Sequence, residues 1–168
     1  LSSLQVSKDI QIELIHKLSR VIGSEGLVAG QMMDLNQEGP IVNEENLLAL
    51  QLLKTGILFG FAAEAGGILG NASASDREAL KSFGLLFGRM FQMVDDWLDG
   101  YGDEKITGKP CQQDKDKLTF LTLLGPLSLR KKVEETLKEA LKALSPFGEK
   151  ATPLKEAAYY ACQWINFC

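Results

Sequence analysis

Hydrophobic positions recur at helical spacing along the whole chain, and no segment sustains the alternation of a half-buried strand. Ser7 can cap a first helix with Ile10, Leu14, Leu18 and Val21 on one face, stopped by Gly23. A second helix begins near Ser24 and runs through GLVAGQMMDLNQ to the Gly39-Pro40 break. Asn43, followed by Glu44 and Glu45 to complement the dipole, caps a long helix through LLALQLLKTGILFGFAAEAGGILG. Ser75 and Glu78 have capping-box spacing and open the helix that ends in FQMVDDWLDG. Residues 100–117, rich in Gly, Lys, Asp and Pro, read as a loop. Helical pattern returns near Thr119, breaks at Gly125-Pro126 and continues with Val133, Leu137, Leu141 and Leu144 as a buried stripe. Thr152, with Pro153 at the first helical position, starts the last helix. With no repeat and no linker, the expectation is one all-α domain over residues 1–168.

Composition narrows the function classes. Hydrophobic residues at 45% and charged residues at 24% are an ordinary soluble balance. A net charge of −4 argues against a nucleic-acid surface, though not against a local basic pocket. Cys111, Cys162 and Cys168 are odd in number and lack CxxC spacing, so neither a disulfide framework nor a zinc site is expected. A reducing, cytoplasmic location follows as the default. The most apolar stretch, GILFGFAAEAGGILG, is interrupted by Glu64 and is expected to be too short to span a bilayer. The chain opens on Leu1 with no basic or apolar leader pattern, and reads as the downstream part of a longer protein.

The segment FQMVDDWLDG raises the chemical question, because three aspartates interrupt a run that otherwise reads as buried helix. Asp is a poor interior helix former, and like charges four apart repel. On a wheel, Leu80, Phe83, Phe87, Met90, Phe91, Val94, Trp97 and Leu98 form the core stripe. Asp95 and Asp99 lie beside it with Gln92, and Asp96 falls further round. Gly84 and Gly88 share the sector of Asp95, which suggests space for a ligand. Two carboxylates one turn apart can share a hard divalent cation, and Mg²⁺ needs only one or two. The plainer reading is a solvated polar edge with glycines for helix–helix contact, and both stand at this point.

Three other elements bear on that choice. KTG places Lys54 and Thr55 within an apolar helix, GQMMDL puts Gln31 and Asp34 on one face, and GDEKITGKPCQQDKDK supplies Lys109 and Lys117. Together they offer carboxylates for cations, lysines for an anion and neutral oxygens, a set that suits a metal-bridged diphosphate. His16, the only histidine, has no partner in sequence and reads as structural, and Phe83, Phe87 and Phe91 have core spacing.

The order GQxxD, KTG, FQxxDDxxD, GD, GK and then a lysine ahead of TFLTLLG resembles the trans-isoprenyl diphosphate synthases, bacterial farnesyl diphosphate synthases among them, from about residue 22 to 145. The resemblance implies an antiparallel helical bundle around a central cavity. It implies condensation of an allylic diphosphate with isopentenyl diphosphate, assisted by three Mg²⁺, in a homodimer with no membrane span. By that resemblance Asp95, Asp96 and Asp99 would serve Mg²⁺, and Lys54, Lys109 and Lys117 the diphosphate. Thr55 and Gln92 would face the allylic cation, and Gln31 and Asp34 would line the cavity. The loop before Lys117 is about two residues shorter than usual, with Asp116 where glycine is usual. No counterpart of the first aspartate-rich motif is present, so the chain is expected to be the C-terminal half and inactive alone. A terpene cyclase or a non-catalytic subunit of a heteromeric prenyltransferase are the alternatives.

Overall fold

The computed structural model of the chain describes residues 1, 3–35, 43–102 and 118–166. It is all-α, with no strand among the described residues. The helices are α1 (Lys8–Ile22), α2 (Leu27–Leu35), α3 (Glu44–Gln51), α4 (Ile57–Leu69) and α5 (Ala74–Tyr101). After these come α6 (Phe120–Leu124), α7 (Pro126–Ala143) and α8 (Thr152–Cys162). Several boundaries follow local chemistry. Ser7 and Asn43 cap α1 and α3 by accepting from the N–H groups of Ile10 and Asn46. Thr119 and Thr122 form a reciprocal capping box at α6. Gly125, at φ +74°, turns the chain so that Pro126 can open α7.

The cap of α5 differs from the expectation. Ser73, not Ser75, accepts from the N–H of Asp76 and donates its hydroxyl to the Asp76 carboxylate, so the cap lies two residues earlier and is a side-chain cap, not a reciprocal box. Between α3 and α4 the chain does not break; residues Leu52–Gly56 form a π-helical turn, closed by the Ile57 N–H on the Leu52 carbonyl. The continuous helix Glu44–Leu69 has 26 residues, long and apolar enough by those measures to cross a membrane. The expectation weighed only the stretch from Gly56 onward, which this helix extends on its N-terminal side. The helix packs against α1, α2 and α5, and its Lys54 and Glu64 are both ion-paired, which fits a helix of a folded domain.

α5 is the central helix, flanked by α4 on one side and by α7 and α8 on another. Phe83, Met90, Met93, Val94 and Trp97 are buried in one core with Leu47, Leu50, Phe120, Leu129 and Val133. Met93 lies outside the wheel's stripe because α5 has two covered faces, not one, and Phe91 on that stripe is 45% exposed. Gly84 and Gly88 open no ligand space. A Cβ on Gly84 would run into the Phe59 carbonyl and sit 2.7 Å from Gly60 Cα, and one on Gly88 would sit 2.8 Å from Gly56 Cα. The glycines let α4 and α5 touch backbone to backbone, as the plainer reading had it.

Candidate active site

The π turn sets the site. It adds a residue to one helical turn, a feature often found at functional sites, and carries both Lys54 and Thr55. α2 and α5 hold it from different directions. On the α2 side, a Cβ on Gly30 would run into the Lys54 backbone nitrogen and sit 2.7 Å from Lys54 Cα. One turn beyond Gly30, Asp34 Oδ2 receives the Lys54 ammonium at 2.6 Å, with the aspartate side chain 13% exposed. Lys54 at 32% exposure keeps part of its charge open to solvent, so the pair adds about 0–1 kcal/mol to stability and chiefly orients the ammonium. Gln31, expected beside Asp34, lies exposed on α2.

On the α5 side, the Thr55 hydroxyl donates to Gln92 Oε1 at 3.3 Å, and Gln92 Nε2 donates to Asp96 Oδ1 at 3.0 Å. Asp96 Oδ2 accepts the backbone N–H of Phe120 at 2.8 Å. The aspartates therefore divide. Asp96, expected on the outer sector as a metal ligand, is 4% exposed and engaged by two N–H donors. It is inside because α6 and α7 cover the face that the wheel left to solvent. Asp95 is half-buried and borders an apolar groove of about 650 Å³ lined by Phe87, Phe91, Val94, Leu98 and residues of α8, with Trp164 beyond it. Asp99, one turn further, is 9% exposed.

No group of three or more His, Cys, Asp or Glu able to hold a metal ion occurs among the described residues. The donor set on this chain, Asp95 with Asp99 one turn on, fits a Mg²⁺ ion that keeps most of its shell as water, not one caged by protein. Lys109, Lys117 and Cys111 lie outside the described residues. His16 is exposed on α1 and belongs to no site. Burial pushes the Cys162 thiol up to about 11, and it packs against Met90 sulfur at 2.9 Å, an inert core thiol. The Phe120 N–H and the Gly30 contact had no chemical signature in the sequence. The return of helical pattern near Thr119 placed the first only as a helix start, and the GQxxD spacing drew attention to Gln31 and Asp34 over the glycine before them.

Comparison with known proteins bears on the family and fold of the chain. Residues 2–159 match a family model described as polyprenyl synthetase. The chain is 34% identical over 160 residues to the heterodimeric geranylgeranyl pyrophosphate synthase large subunit 2 of Arabidopsis thaliana, covering 92% of this chain and 43% of that protein. It is 33% identical over 163 residues to the farnesyl diphosphate synthase of Bacillus subtilis (strain 168), covering 96% and 54%. Among solved structures, a Helicobacter pylori geranyltransferase complexed with magnesium and isoprenyl diphosphate superposes with a TM-score of 0.79 at 30% identity, over 96% of this chain and 53% of that one. The chain thus spans about half the length of the curated relatives it matches.

Proposed function

This chain belongs to the polyprenyl synthetase family, and from that premise we propose that it carries one carboxylate platform of a prenyltransferase. The substrates would be an allylic diphosphate and isopentenyl diphosphate, joined head to tail into farnesyl diphosphate or a similar short-chain product. The observation that carries this reading is one π turn whose lysine is paired with Asp34 and whose hydroxyl is bonded to the Gln92 amide of α5, the helix that also bears Asp95 and Asp99. The Lys54 ammonium, held by Asp34, attracts a diphosphate and offsets the charge that grows on it as it leaves. Thr55 and Gln92 offer neutral oxygen and amide dipoles to the carbon left positive. Mg²⁺ bound at Asp95 supplies, when present, further neutralisation of the departing diphosphate. Carbon–carbon bond formation then needs no side-chain nucleophile, only an alkene placed against the cation. A second copy of the chain is the partner this reading expects on α1 and α2, in a reducing cytoplasmic setting.

Calorimetric titration of inorganic diphosphate into the chain, with and without Mg²⁺, tests the reading. Binding is expected to require Mg²⁺ and to weaken at least about tenfold in Asp95→Asn. Metal-independent binding, or binding indifferent to Asp95→Asn, would overturn it.

A further inference from the structure

Asp96 links α6 to the π turn by way of Gln92 and sets the direction of the hydrogen bonds along that path. The Phe120 backbone N–H can only donate, and Asp96 Oδ2 accepts it at 2.8 Å. The other carboxylate oxygen can only accept, so the Gln92 amide must present its NH₂ to Asp96, at 3.0 Å. The amide oxygen of Gln92 is then turned to Thr55, and Thr55 must donate its hydroxyl proton to it, at 3.3 Å. With its proton engaged there, the Thr55 oxygen has only lone pairs left for any other neighbour.

We propose that Asp96 is a positioning residue, not a metal ligand: through Gln92 it fixes the polarity of the relay Phe120–Asp96–Gln92–Thr55, so that Thr55 offers lone pairs, never its proton, to an electron-poor group in the site. The use of those lone pairs for an allylic cation rests on the prenyl-transfer reading, whereas the polarity of the relay does not. The carboxylate is required, and an isosteric amide would not serve. An Asn at this position must keep its Oδ1 on the Phe120 N–H, because a backbone N–H cannot become an acceptor. Its NH₂ then faces Gln92, whose amide turns over and directs its own NH₂ at Thr55. The Thr55 oxygen becomes an acceptor, and its proton is released toward the site, where it repels positive charge.

Side-chain amide NMR of the full chain reads this directly. In the unsubstituted protein the Gln92 Nε2 protons should show NOEs to the Asp96 methylene and none to the Thr55 side chain, and Asp96→Asn should reverse the two. Mg²⁺-dependent binding of inorganic diphosphate should stay within about twofold in Asp96→Asn while Asp95→Asn loses it. A residue that merely ties α6 to α5 would leave the amide orientation unmoved by the substitution, and that result overturns the proposal. So does a loss of diphosphate binding in Asp96→Asn equal to that in Asp95→Asn. If the unsubstituted chain binds no diphosphate, the prenyl-transfer reading fails while the amide orientation still decides the relay. If Asp96→Asn does not fold, NOEs in the unsubstituted chain from the Gln92 amide protons to Thr55 overturn the proposal, and their placement on Asp96 supports it.

Discussion

α5 buries a full row of apolar side chains, whereas the α1–α2 pair leaves a row of its own exposed. Phe83, Met90, Met93, Val94 and Trp97 on α5 are each 6% exposed or less, whereas Ile12, Ile15, Ile22, Val28, Met32, Met33 and Leu35 on α1 and α2 are each 40% or more. The site lies across that divide. Thr55, Gln92 and Asp96 belong to the interlocked part, where α4 and α5 meet through glycines and α6 is tied back by a backbone hydrogen bond. Asp34 belongs to α2, which meets the rest of the chain mainly at the π turn, through the Gly30 contact and the Lys54 ion pair. The groups that would face a developing cation thus sit on rigid backbone. The carboxylate that holds Lys54 sits on a helix with less to anchor it. Stability and the Lys54–Asp34 pairing are therefore separable, and substitutions on the two sides should differ in kind.

The largest effect is expected at the glycine seam. Gly84→Ala drives a methyl group into the Phe59 carbonyl and against Gly60 Cα, and neither backbone can yield without parting α4 from α5. Overpacking of this kind should lower the unfolding free energy by about 3 kcal/mol. Urea denaturation, with the midpoint shifted and the slope unchanged, checks it. A loss under about 1 kcal/mol would show that the seam is softer than its geometry and would weaken the contrast with α2.

A smaller effect is expected at Gly30, although the contact is as close. Gly30→Ala meets the Lys54 backbone, but α2 has little else to hold it and can swing aside. The stability loss should be about 1 kcal/mol. Movement of α2 carries Asp34 away from Lys54, so hydrogen exchange should rise over Leu27–Leu35 and stay unchanged in α5. A loss equal to that of Gly84→Ala would place α2 inside the rigid unit.

This contrast also marks what could be read from the residues alone. Helix positions followed from caps and breaks, since Ser7, Asn43 and Pro126 act within one turn of themselves. The members of the site were legible as residue types in a given order. Their division of labour was not, because it depends on which face of α5 another helix covers. A wheel has no knowledge of α6 and α7, so it put Asp96 outside and left the space beside Gly84 for a ligand. The π turn was equally hidden: nothing in KTG distinguishes an i→i+5 turn from an ordinary one until α2 and α5 press on it.

The smallest effect on stability is expected on α1. Ile12 is 65% exposed, so replacing it with serine removes little buried apolar surface and opens no cavity. Ile12→Ser should leave the unfolding free energy of the dilute chain within about 0.5 kcal/mol of the original. What it should alter is association. Exposed isoleucines at Ile12, Ile15 and Ile22 on α1, with exposed Val28 and Met32 on α2, offer apolar surface that another protein would cover, and a second copy of this chain is the proposed one. Light scattering over a concentration series should show weaker self-association in Ile12→Ser, with unchanged circular dichroism. A stability loss near that of Gly30→Ala would mean that α1 is core to the isolated chain. Unchanged self-association would remove α1 from the expected interface and leave α2 to carry it alone.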